Sequence, residues 1–383
     1  MSRRLKIIFV TNNYTPYSGG VVSSIQAFVI ELQRNGHEVF VITLDFLGGN
    51  HTDPEYIFRL PCPIKFLYKK NHMAIPVRSR HNMKELIDKI NPDIIHSHHP
   101  FLLGKTAMKI AEKNLIPLVF THHSLYEHWY HVVPAPAYIT CPLIRSYVKK
   151  YCNQVAGIIA PSSMVKEYLI ECGVDRSIEV LPSGLQRIFE PALKFKEKIK
   201  CENSPIQLLS VGRFSPEKNI PFLLDLMVEL SKKEKRKYVL TLVGFGPLWK
   251  KMQEYAYTKL DLSPKIVRFI HKPAKEKLVS LYHDADLFIF SSQSDTQGLV
   301  LAEAMAGATP VIALDGAGQR DIIECGKNGY IVEDMPGMIK CIKGISSCSG
   351  QLKNLSYNAW KTSRRYKITN VTNGLVEFYN RFV

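Results

Sequence analysis

The sequence predicts two α/β domains in series, each built on a parallel sheet. Three observations point there. Short apolar runs alternate with stretches at helical spacing, which is the rhythm of strand–helix–strand units. The rhythm breaks at the charged stretch 186–205, where Lys194, Lys196, Lys198 and Lys200 crowd together, and then restarts. At 383 residues the chain is long enough for two domains of ordinary size.

Taken in order, residues 5–11 read as the first strand, followed by a turn-rich loop ending in Gly19-Gly20. Val21, Ile25, Phe28, Val29 and Leu32 mark a helix over 21–34 that Asn35-Gly36 closes. Glu38–Leu44 is the second strand. The loop lacks Gly-x-Gly-x-x-Gly, which argues against a dinucleotide dehydrogenase. Residues 46–90 are basic and show no clear period. A short strand at 93–95 feeds His96-Ser97-His98-His99-Pro100, and a helix spans 102–113. The strand Leu118–Thr121 runs into the aromatic, histidine-rich segment 121–131. Pro134 and Pro136 precede a helix at 137–152. A strand at 155–160, a helix at 164–172 and a strand at 178–181 complete the first half.

In the second half, strands at 207–211, 238–243, 265–270, 286–290 and 309–314 alternate with helical patterns. The expected organisation is a first domain over 1–185, a linker over 186–205 and a second domain over 206–360. A C-terminal helix within 361–383 crosses back to the first domain. Ligands of open parallel sheets sit beyond the strands' C-terminal ends, where every informative motif of this chain falls. Two domains facing each other put those motifs around one central cleft.

Hydrophobic content of 46% and charged content of 22% are those of a globular protein. No apolar run approaches the roughly 18 residues that span a bilayer. The apolar run after Lys6 has a strand's length, not that of a secretory signal. Eight cysteines are scattered without a Cys-x-x-Cys pair, which speaks against zinc and for reduced thiols in the cytoplasm. A net charge of +16 asks for an anionic partner. Its basic residues cluster among apolar ones. Lys69, Lys70, Arg78 and Arg80 lie in the segment 65–89, and Arg145, Lys149 and Lys150 in 142–152. Basic and apolar residues on one segment suit an anionic membrane surface, with solvated lysines on ordinary helices as the other reading. No nucleic-acid signature accompanies the charge, so no nucleic acid is expected as partner.

The densest chemistry is in 291–307, SSQSDTQGLVLAEAMAG. Asp295 and Glu303 stand eight positions apart, so on one helix they would diverge by roughly 80°. Asp295 therefore belongs to the loop and Glu303 to the helix. The backbone N–H groups of Gly298, Leu299 and Val300 at the helix start form an anion site between them. Arg213 and Lys218 flank a loop containing Pro216 and suit a diphosphate. Ordinary surface cations, an N-cap at Asp295 and an exposed acid at Glu303 are the plain alternatives. The histidines crowd between His96 and His131, but no His-Glu-x-x-His is present and no metal site is expected.

With both halves read, the chain resembles family 4 glycosyltransferases of the GT-B architecture, in which two Rossmann-like domains hold a nucleotide sugar. The likeness rests on Gly19-Gly20, on NPDIIHSHHPFLLG at 91–104, on VGRFSPEKN at 211–219 and on Asp295-x7-Glu303, which matches the family's Glu-x7-Glu. Asp295 is one methylene shorter than the family's Glu, and Gln297 stands where many members carry Phe. Both features, with Thr-x-His-x-x-Tyr-Glu-x-x-x-His at 121–131, look most like the branch that glycosylates diacylglycerol. Segment 315–321 lacks the usual Pro-Glu.

The resemblance implies a retaining, metal-independent hexosyltransferase without cofactor. It would move a sugar, from UDP-glucose or UDP-galactose, to a lipid hydroxyl at the cytoplasmic face of the membrane. It implies donor binding by Gly19, Gly20, Arg213, Lys218, Gly298, Leu299, Val300 and Glu303, with Glu303 at the ribose. His123 and Asp295 become the catalytic pair at the transferred sugar, and His98 and His99 either line the same cleft or pack as polar core. Tyr126, Glu127 and His131 fall on the acceptor side, with Trp129 and Tyr130 at lipid or core. A glycosyltransferase for lipopolysaccharide core or another glycan, a nucleotide-sugar epimerase and a non-catalytic membrane scaffold remain the alternatives.

Overall fold

A computed structural model describes residues 3–17, 19–46, 52–68, 71–126, 136–198, 204–232, 238–316 and 318–383. The chain divides into two compact units, Met1–Gly184 with Ile368–Val383, and Leu185–Lys367.

The first unit carries strands β1 (Lys6–Val10), β2 (Glu38–Leu44), β3 (Ile57–Leu60), β4 (Ile64–Tyr68), β5 (Asn71–Ile75), β6 (Ile94–Ser97), β7 (Leu118–Thr121), β8 (Gly157–Ala160) and β9 (Ile178–Val180). Seven of them form one sheet in the order β3-β2-β1-β6-β7-β8-β9, and every pairing is parallel. Both faces are covered, which is why its central strands read as unbroken apolar runs rather than alternating ones. Helix α1 (Gly20–Arg34) and the C-terminal helix Ile368–Tyr379 pack on one face, where Val22, Ile25 and Phe28 meet Ile7, Phe9, Val371 and Leu375. Helices α2 (Ser79–Ile90), α3 (Leu103–Asn114), α4 (Ala137–Cys152) and α5 (Ser163–Glu171) cover the other, burying Met83, Ile87, Ile110, Tyr151 and Val165 against Ile8 and Ile95.

The region 46–90, which shows no period, holds β3, the hairpin β4–β5 and α2. The hairpin is antiparallel and stands apart from the large sheet. Helix α2 buries only Met83, Ile87 and Ile90. Such narrow apolar stripes leave little pattern in a sequence.

The second unit orders β12-β11-β10-β13-β14-β15, again all parallel. These are β10 (Ile206–Arg213), β11 (Tyr238–Phe245), β12 (Val267–His271), β13 (Leu287–Phe290), β14 (Val311–Leu314) and β15 (Gly329–Val332). Its helices are α6 (Ile220–Ser231), α7 (Trp249–Glu254), α8 (Lys275–Asp284), α9 (Leu299–Ala306), α10 (Met335–Ser347) and α11 (Ser349–Ser363). Of the stretch 186–205, the described residues 186–198 pack within this unit. Phe189 is buried in its core, Trp360 Nε1 donates to the Ala192 carbonyl at 2.9 Å, and Lys198 Nζ donates to the Ala285 carbonyl at 2.6 Å. Lys194, Lys196 and Lys198, which help make it read as a linker, sit among a few apolar anchors, while Lys200 lies outside the described residues.

Candidate active site

In the second unit the informative residues gather at the C-terminal ends of β10 and β13. Gly212 and Gly244 are register partners across β10 and β11. Gly244 has φ +153, and a Cβ there would lie 1.8 Å from the Gly212 carbonyl oxygen, so the strand ends close only as glycine. Arg213 ends β10 exposed, and no hydrogen bond or ion pair engages its guanidinium among the described residues. The 3-10 turn Pro216–Lys218 then brings Lys218 to the loop after β13. Its Nζ donates to both carboxylate oxygens of Asp295, at 2.5 and 2.7 Å, and sits 5.6 Å from the centre of the Phe290 ring. Ser291 Oγ donates to the carbonyls of Lys218 and Asn219, at 2.8 and 3.1 Å, and so pins this turn.

The loop from β13 enters α9 through Gly298, whose φ of +67 is left-handed. The first-turn N–H groups have no intrahelical acceptor by construction and point out of the helix start. Gly318 N donates to the Asp295 carbonyl at 2.8 Å, and the Gln319 amide donates to Ser292, so Gly318 and Gln319 brace the same loop. Within α9, Glu303 accepts a 2.7 Å hydrogen bond from the Tyr282 hydroxyl at Oε2. Burial pushes its carboxyl up from 4.5 to about 7, with Tyr282 and the Lys275 charge pulling the other way. Two cations, a helix start and two carboxylates can hold an anionic diphosphate together with sugar hydroxyls.

In the first unit Gly19 and Gly20 open α1 with extended backbone at Gly19 and no side-chain cap, leaving open space around Gly20. At the ends of β6 and β7 the histidines pack together. His98 Nδ1 and His123 Nε2 share a hydrogen bond at 2.9 Å, and the His96 and His98 rings stack at 4.2 Å. His96 is tied to Tyr379 at 2.6 Å and to Thr121 at 2.7 Å. His99 Nδ1 accepts the Asn12 N–H at 3.2 Å. Burial drives all of them towards the neutral form. His96 falls to about 3, His99 to about 4 and His122 to about 3, and His98 and His123 lie well below 6.5. Among the described residues no three His, Cys, Asp or Glu side chains are grouped to hold a metal ion.

Of the residues expected on the acceptor and membrane side, Tyr126 is core. It is 2% exposed, with its ring edge-on to Phe101 and His122. Glu127, His131, Lys69 and Lys70 lie outside the described residues, as do Trp129 and Tyr130. Arg78 and Arg80 are exposed at the start of α2. On α4, Arg145, Lys149 and Lys150 are exposed beside Tyr138 and Leu143, which are 77% and 64% exposed. Tyr138, Cys141, Pro142, Arg145, Ser146, Lys149 and Cys172 line an open groove of about 620 Å³ there. Among the described residues no helix is long and apolar enough to cross a membrane.

Tyr282, Ser291 and Gln319 join the site without any sequence signal. Tyr282 stands 21 positions before Glu303, on another helix, a distance that no periodicity reports.

Comparison with known proteins agrees with this geometry. The model of Glycosyltransferase Family 4 matches residues 18–186, and that of Glycosyl transferases group 1 matches 192–361. The alpha-monoglucosyldiacylglycerol synthase of Streptococcus pneumoniae is 30% identical over 317 residues, covering 81% of this chain and 71% of that protein. The enzyme of the same name from Acholeplasma laidlawii is 28% identical over 385 residues, covering 94% and 93%. Among solved structures, sucrose-phosphate synthase from Thermosynechococcus elongatus superposes with a TM-score of 0.78 at 19% identity over 99% of both chains. Anabaena HepE in complex with UDP gives 0.75 at 16% identity, over 98% of this chain and all 100% of that one. Fold, motif positions and relatives converge, and the chain belongs to glycosyltransferase family 4, with the GT-B fold of two parallel-sheet α/β domains.

Proposed function

We propose that the protein transfers a hexose from UDP-glucose or UDP-galactose to the free hydroxyl of 1,2-diacylglycerol, with retention at the sugar carbon and without a metal ion. The observation that carries the donor half is the Lys218–Asp295 pair at the ends of β10 and β13 beside the start of α9, with Arg213 ending β10 and Glu303 about one turn into α9. Arg213 and Lys218 supply the charge that neutralises the departing diphosphate. The N–H groups of Gly298, Leu299 and Val300 add to it, and Gly19 and Gly20 offer the same chemistry at α1. Glu303 takes the ribose hydroxyls. Asp295 and His123 are the polar groups for the transferred sugar.

The bond from the sugar carbon to the phosphate oxygen breaks while the acceptor oxygen bonds to that carbon on the same face. The acceptor proton passes to the departing phosphate oxygen. Positioning and charge neutralisation then carry the catalysis. The acceptor half draws on the relatives named as diacylglycerol glucosyl-lipid synthases and on α4, where Tyr138 and Leu143 stand exposed beside Arg145, Lys149 and Lys150. That face, with Arg78 and Arg80, suits peripheral docking on an anionic leaflet at the cytoplasmic side.

Radiolabelled UDP-glucose, UDP-galactose and GDP-mannose, each with and without diacylglycerol in anionic vesicles, test the proposal. An α-linked glycolipid formed in the presence of EDTA is the expected product. Transfer only to soluble glycans, or isomerised donor with no acceptor, would overturn it.

A further inference from the structure

We propose that Tyr282 is a positioning residue for donor binding: its hydroxyl occupies one oxygen of Glu303 and leaves the other as the oxygen presented to the nucleotide ribose. The inference rests on the reading of Glu303 as the ribose-binding carboxylate.

Tyr282 is 1% exposed and its phenol donates to Glu303 Oε2 at 2.7 Å. No other hydrogen bond engages the Glu303 carboxylate among the described residues. The phenol itself cannot swing away. Its ring packs edge-on to Phe189 and beside Phe288, and its carbonyl accepts from Thr309 Oγ1 at 2.5 Å. Gly307 completes the seat, since a Cβ there would fall 2.9 Å from the Tyr282 backbone. Burial and the neighbouring carboxyl push the phenol well above its usual value, so it stays protonated and always donates.

A carboxylate fixed at one oxygen by a rigid donor has one orientation left for the other. It also leans towards its charged form, because a donor hydrogen bond favours the anion. The titratable and charged groups acting on Glu303 are Tyr282 and Lys275, both on α8. Tyr282 therefore does two things for Glu303: it sets the direction of the free oxygen and lowers the proton cost of using it.

The test is calorimetric titration with UDP and with GDP between pH 6 and 8.5, on the wild type, Tyr282→Phe, Glu303→Gln and the double variant. Tyr282→Phe should weaken UDP binding about ten-fold at pH 7, the scale of one hydrogen bond to a charged group. It should also move the midpoint of the pH dependence upward. KM for the donor should rise while kcat stays within about two-fold, because the ribose is bound alike before and during reaction. In the Glu303→Gln background the tyrosine change should add nothing.

A variant that merely loosened packing would lower stability without moving the pH midpoint, and that result overturns the inference. Glu303→Gln weakening UDP while Tyr282→Phe leaves affinity and midpoint unchanged refutes the tyrosine's part alone. Wild-type affinity in Glu303→Gln, or no binding of either nucleotide to the wild type, refutes the reading beneath it. A measurement independent of any variant's folding is 13C NMR of glutamate carboxyls in the wild type. One should titrate near 7 and fall on adding UDP; no such resonance overturns the inference.

Discussion

Lys218 holds Asp295 by both carboxylate oxygens, at 2.5 and 2.7 Å, and each side chain is only 19% exposed. On the proposed function, the cation assigned to the phosphates and the acid assigned to the sugar are paired with each other, so a donor would have to draw the ammonium towards its phosphates and release the carboxylate.

Removing either partner leaves a half-buried charge alone, which costs about 2 kcal/mol. Lys218→Ala should therefore lower the urea midpoint of the second unit and cut sugar transfer by about 100-fold. Asp295→Glu, which keeps a carboxylate within reach, should retain transfer within about ten-fold. Unfolding followed by the fluorescence of Trp249 and Trp360, paired with a steady-state assay, separates the two effects.

Arg213 gives the opposite split. Its guanidinium is exposed and engages nothing among the described residues, so Arg213→Ala has no fold contact to lose. The melting temperature should stay within about 1 °C. Transfer should fall about 100-fold, as expected for a charge that acts on the leaving group. Unchanged turnover would remove Arg213 from the donor site.

The pH response of Glu303 has a definite sign. Its carboxyl is raised from 4.5 to about 7, so the folded chain keeps a proton that the unfolded chain releases. Its contribution to stability is complete below 4.5 and disappears as pH rises through 7. If Glu303 holds the ribose as proposed, its hydroxyls donate to the ionised form, so UDP affinity should rise between pH 6 and 8. Glu303→Gln should flatten that rise in calorimetry.

The histidine cluster of the first unit works the other way. His96, His99 and His122 are held at about 3, 4 and 3, and His98 and His123 well below 6.5, by burial. The unfolded chain takes up these protons below 6.5, so the contribution is present above that pH and is lost as pH falls towards 4. The amides of β6 and β7 should lose protection against hydrogen exchange at pH 5 relative to pH 7.5. Equal protection, corrected for intrinsic rates, would show that the cluster is not sealed from water.

The exposed face of α4 predicts a change in membrane binding without a change in folding. Leu143, Lys149 and Lys150 are exposed, so Leu143→Glu, Lys149→Glu and Lys150→Glu should leave the melting curve in place. Each reversal of a basic residue should weaken binding to anionic vesicles at low salt by roughly thirty-fold, since one basic side chain near such a surface contributes about 1 kcal/mol and a reversal changes the charge by two. Binding that survives all three together would move the docking surface elsewhere.

What the sequence determined was the pair of parallel sheets and the residues at their ends. Strands buried on both faces must be apolar throughout, and helices against them must repeat at 3.6 residues, so both are written locally. Gly298 was legible because it opens α9 and Arg213 because it ends β10, while Lys218 and Glu303 were picked out by the motifs VGRFSPEKN and Asp295-x7-Glu303. The hairpin β4–β5 and helix α2 were not, because half-covered elements carry weak patterns. Tertiary structure alone decided which side chains meet. The bond from Lys218 to Asp295 spans 77 positions, that from Tyr282 to Glu303 spans 21, and that from His98 to His123 spans 25. No local period reports contacts between different strands and helices; they exist only once the sheet order sets those elements side by side.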